Sequence, residues 1–332
     1  MIALNEEAYL PSLLDEVVGQ TYPHELIEVV LVDSGSTDRT RALMEDFAAR
    51  GVDEGFLGVV VADNPEKIQA CGWNVAIEKS SGAVMLRVDA HASIPPTFVE
   101  ANMAVLAEGE AVCGGPRPTA VKHPTPWQET LHLAEESAFG SSAASYRGET
   151  AGCEVPSVFH GAYRREVLDA VGGFDKRLRR TEDNEFHYRI RQKGYRIWFD
   201  PRIRSVQYVR SSFRSMLKQK YGNGYWIGRT LFIEPHCFQM HHFVPLVFVL
   251  GIIALALAGC VFSWIPFGCC VILYALLCIA LSVVAVRSAA SRNATMTALP
   301  VIFMGIHVSY GIGTLVGIVV GGIKRLMPHE KA

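Results

Sequence analysis

Residues 28–38 are Glu-Val-Val-Leu-Val-Asp-Ser-Gly-Ser-Thr-Asp, an apolar run that changes at once into short polar residues. A short apolar run that ends at turn residues is typical of a strand buried in a sheet. Ser36 or Thr37 can cap a helix, and residues 37–49 have the spacing of one. Strand, turn and helix in this order predict an α/β fold in which Asp33 ends a strand.

The same alternation continues through the first 115 residues. Helices are predicted at 10–18, 37–49, 68–79 and 95–106, and strands at 28–32, 59–61, 83–88 and 111–113. Right-handed crossovers then give a mainly parallel sheet with flanking helices. Ligands bind beyond the carboxyl ends of the strands in such sheets, and Asp33 and Asp89 both lie at strand ends.

The chain is less regular after residue 115. Residues 116–160 are rich in proline and then, at 137–152, in glycine, serine and alanine, which predicts a mobile loop able to order over a substrate. A helix is predicted at 182–193, followed by strands at 197–199 and 206–209.

A long apolar tail decides the class of protein. Of the 332 residues, 50% are hydrophobic and 19% are charged, and residues 243–286 and 293–323 contain no Asp, Glu, Lys or Arg. At about 1.5 Å per helical residue, the first stretch allows two crossings of a ~30 Å hydrocarbon core and the second allows one more. The sequence therefore predicts an integral membrane protein with about three transmembrane helices in 243–323. Buried helices of a large soluble core are the alternative.

Charge is distributed unevenly along the chain. Residues 1–163 have a net charge of −15 and residues 164–242 a net charge of +9. The acidic block disfavours a nucleic-acid partner, whereas the basic block suits membrane lipid with anionic headgroups. Within it, residues 211–233 mix basic and aromatic side chains, which favours a helix at the membrane interface. A surface helix packed on the polar part of the chain is the alternative.

The cysteines and the N-terminus indicate the compartment. The cysteines outside the apolar tail show no spacing typical of zinc or of a disulfide framework, and the N-terminal residues turn acidic too early for a cleavable signal peptide. We therefore expect a multi-pass protein of the cell inner membrane with its catalytic part in the cytoplasm.

The third apolar segment raises a question of topology. If the first two helices form a hairpin, Arg287 and Arg292 lie inside, as the positive-inside tendency expects. A third full crossing would place Lys324 and Arg325 outside, so either that tendency is broken once or one segment is re-entrant.

Glycines recur at four-residue intervals in 313–321 and predict close packing against the first or second apolar helix; a flexible helix without a partner is the alternative.

Two more polar motifs lie where chemistry is expected. Residues 89–91, Asp-Ala-His, end a predicted strand, and oxygen and nitrogen ligands there suit a divalent ion bound to a diphosphate. The imidazole shifts the preference from Mg²⁺ toward Mn²⁺. Residues 181–185 place three carboxylates at the start of a helix, although compensation of the helix dipole explains them equally well in isolation.

Together these motifs resemble the family 2 inverting glycosyltransferases, which have a GT-A fold. The residues that carry the resemblance are Asn5-Glu6-Glu7, 20–23, 28–38, 87–91, Gly172-Gly173-Phe174-Asp175 and Glu182-Asp183. An Asp-Ala-His motif in place of Asp-x-Asp is similar to the succinoglycan-biosynthesis, ExoA-like branch. The resemblance covers residues 1 to about 230. We expect a GT-A catalytic domain at 1–210, a basic juxtamembrane segment at 211–242, a transmembrane region at 243–323 and a short tail at 324–332.

The resemblance implies a role for each matching residue. Asp33 contacts the nucleobase, and Asn5 and Glu6 line the same end of the pocket. Asp89 meets the ribose or the metal, and His91 holds the metal-bound diphosphate.

The resemblance also implies the catalytic pair and its chemistry. Asp183 is the catalytic base, and Glu182 positions donor or acceptor groups. The acceptor oxygen attacks the anomeric carbon in line as Asp183 takes its proton, so an α-linked donor gives a β-linked product.

These roles predict transfer of a single hexose, glucose from UDP-glucose, to a polyprenyl-diphosphate-linked saccharide in exopolysaccharide biosynthesis. The alternatives are transfer directly to a polyprenyl phosphate, a membrane nucleotidyltransferase and a non-catalytic membrane scaffold.

Two features depart from the family. Only four residues precede Asn5, so the first strand of the sheet is expected to be truncated, which puts activity of this chain in question. Processive members carry Gln-x-x-Arg-Trp, and residues 219–223 do not match it, which argues for one sugar per acceptor.

Overall fold

The computed structural model describes residues 1–122, 124–140, 151–208 and 212–326. These residues form two compact units. The first contains residues 1–120 and 151–208, and the second contains residues 121–140 and 212–326 apart from the gap at 123.

The strands all lie in the first unit. They are β1 (Ile2–Ala3), β2 (Glu28–Asp33), β3 (Gly58–Asp63), β4 (Val84–Leu86), β5 (Ala92–Ser93), β6 (Val112–Gly114), β7 (Thr119–Ala120), β8 (Cys153–Glu154), β9 (Ala162–Arg164), β10 (Trp198–Phe199) and β11 (Val206–Tyr208). They form three sheets with the orders β1-β2-β3, β4-β9-β6-β10-β8 and β5-β11-β7. The first sheet is entirely parallel. The other two are mixed, because β9 pairs antiparallel with β4 and β6, and β11 pairs antiparallel with β5.

The helices are divided between the units. The first unit has α1 (Leu10–Val18), α2 (Thr40–Gly51), α3 (Gln69–Lys79), α4 (Phe98–Ala107), α6 (Arg165–Val171) and α7 (Glu182–Gln192), and the second has α5 (Pro126–Glu136), α8 (Phe213–Thr230), α9 (Val244–Val261), α10 (Ile265–Ser288) and α11 (Leu299–Leu326). The predicted alternation of strands and helices is confirmed, since each predicted element overlaps an observed one within a few residues.

Two apolar clusters bury the strands of the first unit. One includes Leu13, Leu31 and Phe47, and the other includes Val32 and Trp73. Leu31 and Val32 are adjacent in β2 and are both fully buried, so the central strand is covered on both faces. This explains why residues 29–32 form an unbroken apolar run.

The predicted loop at 116–160 was wrong for residues 126–136, which form α5. Thr125 caps this helix: its hydroxyl accepts a hydrogen bond from the Gln128 amide, and the Gln128 side chain accepts one from the Thr125 amide. The proline content of the region suggested a loop, but Pro126 stands in the first turn, where its missing N–H costs nothing. Most of the stretch 137–152 lies outside the described residues.

The second unit contains the apolar helices. Three segments are long and apolar enough to cross a membrane, namely Met240–Val261, Ile265–Ser288 and Ala294–Leu326. About three such helices were predicted in 243–323. Residues 327–332 of the predicted tail lie outside the described residues.

Gly313 and Gly317 of the α11 glycine stripe pack against α8 instead of the first or second apolar helix, so the predicted partner was wrong. A Cβ on Gly313 would lie 2.2 Å from the carbonyl oxygen of Tyr221, and one on Gly317 would lie 2.1 Å from that of Tyr225. The reason is that α8 contributes small residues of its own: a Cβ on Gly228 would lie 2.3 Å from a carbonyl oxygen of α11. Glycines on both helices let the two backbones touch.

We predict that Gly317→Leu destabilises the second unit by about 1–3 kcal/mol or more, because the new side chain must displace the backbone of α8. The measurement is the midpoint of thermal unfolding of detergent-purified protein. Gly251→Leu is the matched control, since a Cβ there meets nothing within 4 Å. Equal midpoints for the two variants would contradict the packing role.

Candidate active site

The site begins where β1 lies between two strand-end carboxylates. Ala3 of β1 is in register with Asp33 of β2, and Ile2 forms a parallel bridge with Asp89. The carboxyl ends of parallel strands meet at one edge of a sheet, and β1 thus brings Asp33 and Asp89 to the same edge.

Asp33 is held by the turn that follows it. Its carboxylate is buried and accepts hydrogen bonds from the Ser36 amide at 3.1 and 3.3 Å. Gly35 supplies the left-handed φ of 78° that this turn needs. Asn5 closes the same turn from β1, because its side-chain oxygen accepts a hydrogen bond from the Thr37 amide at 2.8 Å. The structure therefore brings Asn5 and Asp33 to the same turn.

Asp89 lies among polar side chains from three parts of the chain. His160 Nε2 is 3.3 Å from Asp89 Oδ2, Gln207 Nε2 is 3.3 Å from the same oxygen, and an Arg87 guanidinium nitrogen is 3.8 Å from Oδ1. Burial alone would raise the pKa of Asp89, but the hydrogen bond and charge of His160 and the charge of Arg87 lower it well below its usual range. Asp89 is therefore ionised at neutral pH.

His160 is a buried residue with an unusual backbone. Its φ of 45° is in the left-handed region, which is uncommon for a residue other than glycine and tends to occur at functional sites. Burial lowers the pKa of His160, so the ring is neutral. Its Nδ1 lies 2.9 Å from the Ser205 hydroxyl, which can donate to it, so that Nε2 carries the proton facing Asp89.

His91 faces Asp89 across the side chain of Gln207. His91 Nδ1 is 3.4 Å from Glu6 Oε1 and its Nε2 is 2.8 Å from Gln207 Nε2. Burial lowers the pKa of His91, but hydrogen bonding to Glu6 and the charge of Asp89 outweigh it and raise the pKa overall. With the Nδ1 proton directed to Glu6, the lone pair on Nε2 points to the Gln207 amide. Glu6 thus makes the imidazole a stronger ligand.

Asp183 stands at the start of α7 and forms an ion pair with Arg87. Arg87 is itself buried, with its guanidinium 4.4 Å from the centre of the Trp73 ring. One guanidinium therefore joins Asp183 to the Asp89 side of the site. Asp183 therefore acts in an ion pair in addition to any effect on the helix dipole.

Glu182 lies next to Asp183 and is almost fully buried. Burial, followed by the charge of Asp183, raises the pKa of Glu182 to about 8. Glu182 is therefore protonated at neutral pH, and the ion pair with Arg87 is made by Asp183. The two neighbouring carboxyl groups thus differ in environment, as in enzyme sites that need one acid and one base.

Three residues of the site were missed by sequence reasoning, namely Arg87, His160 and Gln207. Arg87 could have been found, because residues 87 and 89 point to the same side of an extended segment. His160 and Gln207 are distant in sequence from Asp89, and Gln207 lies in the site only because β11 pairs with β5, which places it opposite Ala92.

No group of three or more His, Cys, Asp or Glu side chains is arranged to hold a metal ion among the residues that the structure describes.

Comparisons with known proteins agree with this geometry. Residues 1–172 match Glycosyl transferase family 2. The succinoglycan biosynthesis protein ExoA of Rhizobium meliloti (strain 1021) is 30% identical over 227 residues, which cover 67% of this chain and 66% of the relative. A dolichyl N-acetyl-alpha-D-glucosaminyl phosphate 3-beta-D-2,3-diacetamido-2,3-dideoxy-beta-D-glucuronosyltransferase of Methanococcus voltae is 22% identical over 77% of this chain and 79% of its own.

A solved structure confirms the GT-A fold. The mannosyltransferase PcManGT of Pyrobaculum calidifontis, solved with GDP-Man and Mn²⁺, superposes with a TM-score of 0.62 at 18% identity. The superposition covers 99% of this chain and 86% of that one.

We predict that Arg87→Met destabilises the first unit by about 3 kcal/mol, because it leaves two partly buried carboxylates without their shared cation. The measurement is again the midpoint of thermal unfolding. Arg177→Met is the matched control: Arg177 is 68% exposed in its ion pair with Asp175, and loss of an exposed pair costs at most about 1 kcal/mol. If both variants unfold at the same temperature, Arg87 does not hold the site together.

Proposed function

The chain belongs to glycosyl transferase family 2, and from this premise we propose that it is a membrane-bound inverting hexosyltransferase. It transfers one glucose from UDP-glucose to a polyprenyl-diphosphate-linked saccharide during exopolysaccharide biosynthesis. The observation that carries the proposal is the single buried cation, Arg87, between Asp89 at a strand end and Asp183 at the start of α7. This contact places a candidate base beside the carboxylate assigned to the donor diphosphate.

The donor is assigned to the strand edge. Asp33 and the backbone of residues 34–37 supply polar groups for the nucleobase, with Asn5 and Glu6 at the same end. Asp89 faces the ribose and the diphosphate. Glucose and UDP are chosen because of the similarity to ExoA, a succinoglycan biosynthesis protein.

A divalent cation fits between Asp89 and His91. The amide nitrogen of Gln207 lies within 3.3 Å of the Asp89 oxygen and 2.8 Å of His91 Nε2. A lone pair of Asp89 and a lone pair of His91 are therefore directed at one position, which the partly positive amide group of Gln207 occupies. An ionised carboxylate and an imidazole would hold Mn²⁺, or Mg²⁺ less well. When bound, such an ion stabilises the charge that develops on the departing nucleoside diphosphate. The PcManGT structure, which contains Mn²⁺, is the precedent.

Asp183 is assigned as the general base. Glu182 is protonated at neutral pH and cannot accept a proton, whereas Asp183 forms the ion pair with Arg87, so we assign the base to Asp183. It takes the proton of the acceptor hydroxyl as that oxygen bonds to the anomeric carbon and the bond to the diphosphate breaks. Glu182 donates a hydrogen bond that positions donor or acceptor groups. Attack from the face opposite the diphosphate converts an α-linked donor into a β-linked product.

The acceptor and the location follow from the apolar helices. Three candidate membrane spans make this a membrane protein, and a polyprenyl chain is an acceptor that remains in the bilayer. The Methanococcus voltae relative is named for a sugar carried on dolichyl phosphate. We assign the catalytic domain to 1–210 and to the cytoplasmic face of the inner membrane, 211–242 to the juxtamembrane segment, 243–323 to the transmembrane region and 324–332 to the tail. Helix α5, from within 1–210, packs with the second unit.

The function is tested with membranes that contain the full chain. A panel of UDP-sugars and GDP-mannose is supplied with lipid extracts, and release of nucleoside diphosphate and labelling of lipid are followed. We expect UDP release that depends on a lipid-linked saccharide. Labelling of polyprenyl phosphate alone would establish the alternative acceptor, and release of pyrophosphate would establish a nucleotidyltransferase.

We predict that Asp183→Asn lowers turnover at least ~10²-fold and leaves UDP binding within about twofold, because the amide keeps the shape but accepts no proton. Turnover is measured by UDP release, and binding by calorimetry. Asp169→Asn, an exposed substitution on α6, is the control and should remain active. Near-normal transfer by Asp183→Asn would remove Asp183 from this role.

We also predict that His91→Ala weakens Mn²⁺-dependent binding of UDP about tenfold or more, whereas His91→Asp retains it, because either side chain offers one ligand to the ion. The measurement is UDP affinity as a function of Mn²⁺ concentration. If His91→Ala binds UDP and Mn²⁺ like the wild type, the Asp-Ala-His assignment is wrong.

A further inference from the structure

Helices α8 and α11 lie side by side and run in the same direction. A Cβ on Gly305 would lie 3.1 Å from the Leu217 side chain, one on Gly317 would lie 2.1 Å from the Tyr225 carbonyl oxygen, and one on Gly321 would lie 2.4 Å from the Phe232 ring. Contact positions on both helices therefore advance together over residues 305–321. At about 1.5 Å per residue this stretch is roughly 24 Å long, most of a ~30 Å hydrocarbon core. Because the two helices are packed side by side over this length, α8 must lie at the same depth in the bilayer as α11.

Helix α8 is poorly suited to a membrane interior. It carries four basic side chains and no acidic one: Arg214, Lys218, Lys220 and Arg229. Lys220 is buried and paired with Glu135 of α5 at 3.1 Å, whereas Arg214 and Lys218 are exposed. A Lys or Arg at the centre of a bilayer is strongly unfavourable. A crossing by α11 would carry this basic helix into the hydrocarbon with it.

The free faces of the two helices differ in polarity. One side of α11 is a continuous apolar stripe, with residues at intervals of three or four along the helix: Val301, Met304, Val308, Ile312, Leu315, Val319, Ile323 and Leu326. Val301, Val319 and Leu326 are 66%, 52% and 83% exposed. The exposed residues of α8 are polar for the most part: Ser212, Arg214, Ser215, Lys218 and Gln219. The pair is thus apolar on one helix and basic on the other.

The contacts of α11 with α9 lie near the start of α9. A Cβ on Gly311 would lie 2.3 Å from the Pro245 carbonyl oxygen. Farther along α9, Leu257 is 65% exposed, and Phe262 in the connection to α10 is 87% exposed. Helix α11 therefore meets α9 at the end away from the turn of the α9–α10 hairpin, while the hydroxyl of Tyr274, near the middle of α10, reaches His307 of α11 at 2.7 Å.

We propose that α11 lies in the surface of the bilayer and does not cross it, with α8 on its water side. The partner of the α11 stripe is the boundary between headgroups and acyl chains of an anionic leaflet, to which the basic face of α8 adds electrostatic attraction. Only α9 and α10 cross, as a hairpin. Lys324 and Arg325 then lie on the same side as Arg287 and Arg292, so the positive-inside tendency is kept.

The first test locates the C-terminus. The full chain carries a protease-cleavable epitope tag after Ala332 and is examined in sealed vesicles of both orientations. The expected result is that the tag is cut in the orientation in which added trypsin degrades the catalytic unit, since both lie on one side. Removal of the tag only in the opposite orientation would overturn the proposal. Neither result depends on which sugar, if any, the protein transfers.

The second test measures depth with matched lysine substitutions. Ile312 lies midway along α11 and Leu276 midway along α10, and both are exposed. Leu276→Lys should lower the yield of folded, membrane-extracted protein about tenfold or more, whereas Ile312→Lys should stay within about twofold of the wild type, because a lysine in the bilayer surface reaches water. A loss for Ile312→Lys as large as that for Leu276→Lys would show that α11 crosses.

Discussion

The arrangement of the site depends on one buried cation. Arg87 lies on Trp73, forms an ion pair with Asp183 and stands 3.8 Å from Asp89. Two carboxylates in a dry site repel each other, and a planar guanidinium with several donors can hold both in fixed positions. This contact ties α7 to the strand-end segment that precedes β5. Asp183 faces this cation, whereas Glu182 beside it is protonated.

The donor side is built from short pieces of backbone held in register. β1 is only two residues long, yet it pairs with β2 and bridges to Asp89, so it fixes the spacing between two carboxylates that belong to different motifs. β11 also positions a side chain of the site, because its antiparallel pairing with β5 brings Gln207 to Asp89 and His91. Register, which is a backbone property, decides which side chains share the site.

In the second unit, the backbones of α8 and α11 are in close contact. Glycines on α8 and α11 let the helices approach until carbonyl oxygens are within contact distance, and this couples a basic helix to an apolar one. The pair combines a surface that suits lipid with one that suits water.

The sequence by itself determined the α/β alternation, the apolar helices and the strand-end positions of Asp33 and Asp89, because these follow from periodicity and from where apolar runs stop. It could not show that α8 is the partner of the α11 glycines, or that α5 forms within a proline-rich stretch. Nor could it show that Arg87, His160 and Gln207 meet at Asp89. Local pattern reports which face of an element is buried, whereas these contacts join residues up to 118 positions apart. They exist only once strand register and helix packing have placed distant backbone segments together, and the tertiary structure alone decides that.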